Sequence, residues 1–375
     1  MTTVRRSDAI VVGAGIVGAA CAAALARDGW RVTILEKSFA SAGTTSVGMG
    51  HLVAMDDSPE QLALTEYSLR LWRELAPALD ARAELDRCGT LWVAEDESQL
   101  SALRTKRATY AAAGIATEVL GQRELSEAEP NLRKGLVGAL RVPQDSVLYP
   151  PGATLTLLDV ARAHDAVLRE NVEVREIIPN GVQLDGETIR ADVVVIAAGS
   201  WSPRLISGLP IVPRKGHLAI TDRVPGFCRH QIVELGYLTS AHVMTSESVA
   251  FNVQPRSTGQ VLIGSSRELV GWNAATNRDI LRRMLERATN FMPGLADLSV
   301  IRCWTGFRPA TPDKLPLIGA WEPIPGAWIA AGHEGLGITT SLATAQLLAD
   351  LIAGRATQID AAAFSPMRAM DAVHA

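Results

Sequence analysis

Gly13-Ala14-Gly15-Ile16-Val17-Gly18 connects a short apolar run to an alanine-rich stretch. The apolar run, Ala9-Ile10-Val11-Val12, has the composition of a buried strand, and residues 16–28 have that of a helix. A second apolar run, residues 31–35, follows and ends at Glu36. Because a strand, a crossover helix and a second strand in this order form a parallel pair, the segment predicts a βαβ unit.

The glycine spacing in this unit is that of a dinucleotide-binding turn. Gly13 allows the tight turn, Gly15 lets the backbone approach a pyrophosphate, and Gly18 lets the helix pack closely on the strand. The amino end of the helix adds free N–H groups and the positive end of its dipole. Glu36 is placed to accept hydrogen bonds from ribose hydroxyls, and its charge disfavours the 2′-phosphate of NADP. We therefore expect FAD or NAD.

Two further glycine-rich segments favour FAD over NAD. The first is Gly43-Thr44-Thr45-Ser46-Val47-Gly48-Met49-Gly50-His51, which is either a loop wrapped around a bulky cofactor or a flexible surface loop. The second is Gly332-His333-Glu334-Gly335-Leu336-Gly337-Ile338, which leads from a strand-like run into a helix expected over residues 339–353. A second helix amino end aimed at the cofactor would stabilise the negative charge of a reduced flavin. The alternative is a plain strand–loop–helix connection.

The remaining apolar patterns predict the architecture. Val193-Val194-Val195-Ile196 is fully apolar, as a buried parallel strand is, so we place it in the sheet of the βαβ unit. Residues 249–256 and 260–264 instead turn like an antiparallel hairpin. Residues 59–76 and 276–292 carry apolar side chains at helical spacing, so we expect both to be packing helices.

The prediction is an α/β fold: a Rossmann-like FAD-binding domain with an inserted mixed, largely antiparallel β-sheet substrate domain. The change from buried parallel strands to a hairpin pattern indicates where the second domain is inserted. We assign residues 1–82, 146–214 and 304–375 to the FAD-binding domain, and residues 83–145 and 215–303 to the substrate-binding domain.

Composition excludes several classes of protein. The 375 residues are 47% hydrophobic and 20% charged, which excludes a disordered or fibrous chain. The net charge of −4 and the lack of any Lys/Arg run argue against nucleic acid as a partner. The four cysteines are scattered and predict no metal site. Without a signal peptide or an apolar stretch of about 18 residues, we expect a cytoplasmic protein, and peripheral membrane association stays open.

Together these segments resemble the D-amino acid oxidase family of FAD enzymes, which includes glycine oxidase, sarcosine oxidase and the D-amino acid dehydrogenases. The resemblance extends over nearly the whole sequence. Besides the segments above it rests on Ala197-Ala198-Gly199-Ser200-Trp201-Ser202, on Trp304-Thr305-Gly306-Phe307-Arg308-Pro309 and on residues 312–319.

Within that family the sequence is most similar to D-hydroxyproline dehydrogenases. The similarity lies in Gly48-Met49-Gly50-His51, in Pro213-Arg214-Lys215-Gly216-His217 and in Phe251-Asn252-Val253-Gln254. The β-type subunits of related multi-subunit dehydrogenases look much the same. The resemblance thus implies oxidation of a small D-amino or D-imino acid, most of all D-hydroxyproline or D-proline, by hydride transfer from Cα to flavin N5.

The resemblance also implies roles for single residues. Arg308 would hold the substrate carboxylate, as a guanidinium can in a bidentate pair, or else form a structural ion pair. Asn252 and Gln254 share one face of a strand that we expect to line the substrate pocket. His51 is either a substrate contact or a structural histidine. The predicted cofactor-binding residues are Gly13, Ala14, Gly15, Ile16, Val17, Gly18, Glu36, Lys37, Gly43, Thr44, Thr45, Ser46, Gly48, Met49, Gly50, Val174, Ala198, Gly199, Trp201, Gly306, Gly332, His333, Gly335, Leu336, Gly337, Ile338 and Thr339.

Two alternatives remain at this level. One is a glycine- or sarcosine-type oxidase that uses oxygen, and the other is the FAD-carrying β subunit of a larger dehydrogenase, with additional subunits. The electron acceptor, whether oxygen, a quinone or a partner flavoprotein, has no signature in the sequence. We expect non-covalent FAD, because residues 308–313 contain no cysteine and Cys303 precedes them.

Overall fold

The computed structural model describes residues 9–236 and 247–368. The helices are α1 (Ile16–Arg27), α2 (Pro59–Leu75), α3 (Glu97–Ala112), α4 (Gln122–Ala128), α5 (Pro150–Arg162), α6 (Ser202–Leu205), α7 (Arg278–Phe291) and α8 (Gly337–Ile352). The strands are β1 (Ala9–Val12), β2 (Val32–Leu35), β3 (His51–Leu52), β4 (Thr90–Ala94), β5 (Glu118–Gly121), β6 (Gly138–Val142), β7 (Ser146–Val147), β8 (Val167–Arg169), β9 (Glu176–Ile178), β10 (Gly181–Gln183), β11 (Thr188–Arg190), β12 (Val193–Ile196), β13 (Val212–Thr221), β14 (Gln231–Glu234), β15 (Glu247–Pro255), β16 (Val261–Glu268), β17 (Val300–Ala310), β18 (Leu317–Ala320) and β19 (Ala327–Ala331).

A six-stranded sheet contains the predicted βαβ unit. Its order is β18-β19-β12-β1-β2-β8, and every neighbouring pair is parallel except β18 with β19 at one edge. The expected partner of the first strand is confirmed, since Ala9 lies opposite Val193. All four residues of both β1 and β12 are buried, as continuous apolar runs require in a sheet covered on both faces.

Helix α1 packs against α5 and α8. Its side chains are mostly alanines, and small side chains allow neighbouring helices to approach closely. Helix α2 begins after Ser58, whose side-chain oxygen accepts a hydrogen bond from the backbone N–H of Gln61, and Pro59 occupies its first turn. Both helices begin within about two residues of their predicted starts.

An eight-stranded sheet forms the second layer of the molecule. Its order is β17-β13-β16-β15-β14-β4-β6-β5, with one parallel pair, β14 with β4, among antiparallel neighbours. Helix α7 buries Ile280, Met284, Ala288 and Phe291 on one face, and the ring of Phe291 stacks on Phe251 at 4.3 Å. The predicted mixed, largely antiparallel sheet is confirmed.

Two boundaries of the proposed domain division fall inside long strands of the eight-stranded sheet. The boundary at residues 214 and 215 falls within β13, and the boundary at residues 303 and 304 falls within β17. These two strands pair along their length and belong to the eight-stranded sheet. The division stays a proposal.

In the two described ranges, no helix has both the length and the apolar character needed to span a lipid bilayer.

Candidate active site

The glycine turn after β1 is built by close contacts that only glycine permits. Gly13 has a φ of +108°, and a Cβ atom there would lie 2.6 Å from the carbonyl oxygen of Ala197, the residue after β12. A Cβ atom at Gly18 would lie 2.0 Å from the carbonyl oxygen of Gly13. The turn therefore lies where the carboxyl ends of two parallel strands meet, the usual ligand-binding edge of such a sheet.

The acidic residue at the end of β2 is fixed by the backbone. Glu36 accepts hydrogen bonds from the backbone N–H of Ala14, 2.8 Å from Oε2, and of Ser38, 2.9 Å from Oε1. Each carboxylate oxygen keeps a further lone pair for a ribose hydroxyl. Thr45 contributes in the same region, since its Oγ1 accepts a hydrogen bond of 3.0 Å from the N–H of Ile16. One of the free N–H groups at the start of α1 is thus already used.

One cavity of about 620 Å³ joins this turn to the eight-stranded sheet. Its volume is in the range of ligand and cofactor sites. Of the four residues predicted to contact the substrate, Arg308, His51 and Asn252 line it. The predicted cofactor residues in its wall are Gly13, Gly15, Ile16, Val17, Glu36, Lys37, Gly43, Thr44, Thr45, Gly48, Met49, Gly50, Val174, Ala198, Gly199, Trp201, Gly306, His333, Gly335, Gly337 and Ile338.

The other predicted site residues lie outside the cavity wall, and some of them hold neighbouring parts of the site. Thr339 donates a hydrogen bond to the carbonyl oxygen of His51 at 2.8 Å. Ser46 donates to the carbonyl oxygen of Gly43 at 3.1 Å. The full set outside the wall is Ala14, Gly18, Ser46, Gly332, Leu336, Thr339 and Gln254.

Gln254 departs from the expectation that it lines the substrate pocket beside Asn252. Its side chain is fully buried, and its Nε2 donates to the carbonyl oxygen of Met49 at 2.5 Å. Both residues project from the same face of β15, but the glycine-rich loop covers that face at Gln254. Gln254 therefore fixes the loop, and only Asn252 reaches the cavity.

Arg308 lies across a glycine of the neighbouring strand. Its Nη1 donates a hydrogen bond of 2.9 Å to the carbonyl oxygen of Ser266. A Cβ atom at Gly216 would lie 2.3 Å from the same Nη1. Gly216 itself faces Gly306 in the pairing of β13 with β17. The guanidinium thus occupies space that the missing side chain of Gly216 leaves open.

Both histidines of the cavity are neutral near pH 7. Burial first, and then the charge of Arg308, lower the pKa of His51 to about 4. Burial lowers the pKa of His333 to about 3, and its Nε2 lies 3.0 Å from Oγ1 of Thr344. His51 Nδ1 lies 3.3 Å from Nε2 of Gln231, and a side-chain hydrogen bond with Gln254 opposes the lowering of the His51 pKa.

Comparison with known proteins identifies the family. Residues 8–351 match the family described as "DAO: FAD dependent oxidoreductase". The chain belongs to this family of FAD-dependent oxidoreductases. It is 30% identical to a glycine oxidase of Geobacillus kaustophilus (strain HTA426) over 97% of each chain, and 28% identical to a glycine oxidase of Pseudomonas aeruginosa over 95% of this chain and 98% of the relative.

The solved structures of similar proteins agree with this assignment. A crystal structure of glycine oxidase from Geobacillus kaustophilus has a TM-score of 0.87 at 28% identity and covers 97% of this chain and 99% of its own. An L-proline dehydrogenase from P. horikoshii has a TM-score of 0.89 at 24% identity, over 98% and 99% of the two chains, which shows a shared fold. The predicted family, fold and cofactor class are confirmed.

The residues of this FAD-dependent oxidoreductase fit the cofactor. The turn at Gly13 and Gly15 leaves room for a pyrophosphate beside the backbone, and Glu36 is placed for a ribose. The amino end of α8, at Gly337 and Ile338, lies in the same cavity wall and carries a partial positive charge. These groups would hold the two ends of FAD.

Several residues of the cavity wall were not predicted. They include Gly216, Leu218 and Ser265 from the eight-stranded sheet, and Arg204 from α6. Gly216 lies in a segment that carries the similarity to D-hydroxyproline dehydrogenases, but its role follows only from the contact with Arg308. A glycine inside an otherwise regular strand is itself a signal of close approach by a neighbouring group.

Replacing Gly216 by alanine should lower kcat/KM for carboxylate substrates by roughly ten- to a hundredfold, because the new Cβ displaces the guanidinium and small misplacements are costly. The side chain can move, so the melting temperature should change little. Gly236→Ala is the control, since Gly236 lies outside the cavity and its Cβ would meet only Oε2 of Glu234, at 3.4 Å. Equal activity of the two variants in steady-state kinetics would contradict the assigned role of Gly216.

The buried histidines should make the protein less stable in acid. The unfolded chain takes up a proton on each histidine below its ordinary pKa of 6.5, whereas folded His333 does so only near pH 3. The free energy of unfolding therefore falls as the pH drops below about 6.5, by about 1.4 kcal/mol per pH unit for each such group. When the free energy of unfolding is measured with urea between pH 4.5 and 7, it should depend less steeply on pH for His333→Gln than for the unaltered protein. The same pH dependence in both proteins would exclude His333 as the source of the acid sensitivity.

Proposed function

We propose that this chain oxidises a small D-amino or D-imino acid at the carbon beside the amine, with D-hydroxyproline or D-proline as its substrate. The observation that carries the proposal is the position of Arg308, which lines the same cavity as the dinucleotide turn. A guanidinium there pairs with the substrate carboxylate and so fixes the orientation of Cα. When bound, FAD supplies the acceptor for the hydride.

The other side chains of the cavity support such a reaction without an ionised base. His51 is neutral because its pKa is about 4, so it can hydrogen-bond to an amine but carries no charge near neutral pH. Asn252, which is 3% exposed, adds an amide group to the same wall. If the substrate binds with its amine unprotonated, no residue has to remove a proton from the nitrogen before the hydride leaves Cα.

The glycine or sarcosine oxidase alternative has its own support. Two relatives named glycine oxidase cover nearly the whole of this chain at 30% and 28% identity. The alternative also differs in its electron acceptor, which for an oxidase is oxygen.

Anaerobic reduction of the holoenzyme separates these functions. The flavin absorbance is followed after addition of cis-4-hydroxy-D-proline, D-proline, their L-enantiomers, sarcosine, glycine and acyclic D-amino acids in parallel. Fast bleaching by the D-prolines alone is the expected result. Bleaching by glycine or sarcosine, with hydrogen peroxide formed in air, would replace the proposal by an oxidase. No bleaching by any compound would favour a subunit that needs a partner.

The mode of FAD attachment and the location in the cell are also proposals. We propose dissociable FAD, since the described part of the cavity wall contains no cysteine and Cys303 lies outside it. Acid extraction that leaves yellow colour on the denatured protein would contradict this. The cytoplasmic location stays a prediction from the sequence, and cell fractionation would test it.

A further inference from the structure

A second, smaller cavity adjoins the active site. It has a volume of about 60 Å³, and we call it the side pocket. His51, Asn252, Glu334 and Gly335 line both the side pocket and the main cavity, so the two spaces share a wall. A space of this size holds a substituent of a few heavy atoms or a small number of water molecules.

The lining of the side pocket is rich in cationic side chains. Arg214, Arg267 and Lys314 line it, and the carboxylates among its lining residues are Asp57 and Glu334. Oε1 of Glu334 lies 3.4 Å from Nη1 of Arg214 and 3.7 Å from Nε of Arg267, so one carboxylate pairs with two arginines. With His51 neutral, the lining carries one net positive charge.

The charges around Lys314 act on its pKa in both directions. Burial lowers the pKa of its ammonium group, Asp57 and Glu334 raise it, and Arg267 and Arg214 lower it. The three cations of the lining favour a group that accepts hydrogen bonds.

Buried polar atoms also lack partners around this pocket. Nε2 of Gln61, a donor, and Oε1 of Gln231 and Oδ1 of Asn252, both acceptors, have no hydrogen-bond partner among the described residues, and these side chains are 3%, 2% and 3% exposed. A hydroxyl, which both donates and accepts, can satisfy both kinds of atom. A buried polar group without a partner costs roughly 1–3 kcal/mol, so such groups usually mark a place where water or a ligand binds. All three residues line the side pocket.

We propose that the side pocket is a subsite for an oxygen-bearing substituent, a hydroxyl or a carboxylate, on the side chain of the substrate. The proposal rests on the proposed function, because it places the α-carboxylate on Arg308 and the substituent beyond His51 and Asn252. Donors from Arg267, Lys314 and Gln61 bind the oxygen, and the side pocket thereby selects among small amino and imino acids.

Binding of unreactive analogues tests this subsite separately from turnover. Cyclopentanecarboxylate, cis-3-hydroxycyclopentanecarboxylate in both enantiomers and cis-cyclopentane-1,3-dicarboxylate are titrated into the holoenzyme, and the flavin spectrum is followed. We expect at least one oxygen-bearing analogue to bind about tenfold more tightly than cyclopentanecarboxylate, as one hydrogen bond to a charged donor allows. A gain for the alcohol identifies a hydroxyl as the natural substituent, and a gain for the diacid identifies a carboxylate.

Two variants connect the gain to the side pocket. Lys314→Met removes a partly exposed cation, and Gln61→Met replaces a buried amide by a side chain of similar size. Each should reduce the tenfold preference at least threefold, with the affinity for cyclopentanecarboxylate within twofold of the unaltered value. Lys134→Met, at an exposed lysine outside both cavities, is the matched control and should change nothing.

Equal binding of all the analogues overturns the subsite, as does a preference that both variants retain. Either result would leave ordered water as the occupant of the side pocket. Failure of the proposed function has a different signature, because no amino or imino acid would then bleach the flavin, whatever the analogues do.

Discussion

Arg308→Met should lower kcat/KM for amino and imino acids by roughly a thousandfold while the FAD content of the purified protein stays unchanged. Removing one partner of a buried, hydrogen-bonded ion pair costs about 3–5 kcal/mol, and each 1.36 kcal/mol is a factor of ten in rate. Arg308 is positioned for this pair by the carbonyl oxygen of Ser266 and by the space at Gly216. Steady-state and anaerobic stopped-flow kinetics measure the loss.

Two comparisons show whether the loss is due to the carboxylate. Arg308→Lys keeps the charge but not the planar pair of donors, so it should recover only part of the activity. Pyrrolidine, which has no carboxylate, should react equally slowly with the unaltered enzyme and with Arg308→Met. A variant that oxidises D-proline within tenfold of the unaltered rate would show that Arg308 is a structural residue.

Gly13→Ala should weaken FAD binding by roughly a hundredfold, so that the protein is purified largely without flavin. The new Cβ would lie 2.6 Å from the carbonyl oxygen of Ala197, and the φ of +108° is strained for alanine. The strain costs about 1–3 kcal/mol and the clash adds to it, and the turn relieves both by moving away from the position that faces the pyrophosphate. Each 1.4 kcal/mol lost from binding in this way is a factor of ten in affinity. Fluorescence titration of the apoprotein with FAD measures the change.

Gly29→Ala is the matched control for the strain alone. Gly29 has a φ of +87°, but a Cβ atom there would have no neighbour within 4 Å, and the residue lies outside the cavity. This variant should lose some thermal stability and bind FAD as the unaltered protein does. If both variants retain FAD equally, the close approach of Gly13 to Ala197 does not govern cofactor binding.

The sequence predicted the fold because its signals are local. The spacing of Gly13, Gly15 and Gly18 between a strand and a helix predicts the turn from neighbouring residues, although the structure adds the contact of Gly13 with Ala197. The same holds for the fully buried strand Val193–Ile196 and for the start of α2 at Ser58. Each pattern depends on backbone geometry within about ten residues, so it can be read without knowledge of distant contacts.

The assignment of residues to the site was less complete, because it depends on residues far apart in the sequence. Gln254 and Asn252 are two residues apart on one face of a strand, yet only Asn252 reaches the cavity. The difference arises at Met49, which lies some two hundred residues earlier and covers Gln254. No periodicity within the strand contains that information.

The sequence by itself determined the βαβ unit, the glycine turn with Glu36 and the inserted, largely antiparallel sheet from local patterns, and its resemblance to a known family implied the family and the FAD class of cofactor. Only the tertiary structure decided that Gly216 makes room for Arg308, that burial keeps His51 neutral, and that Arg214, Arg267 and Lys314 meet in the side pocket. The physical reason is that clearance, desolvation and charge density arise from atoms that different strands bring together. Those quantities exist only when the protein is folded.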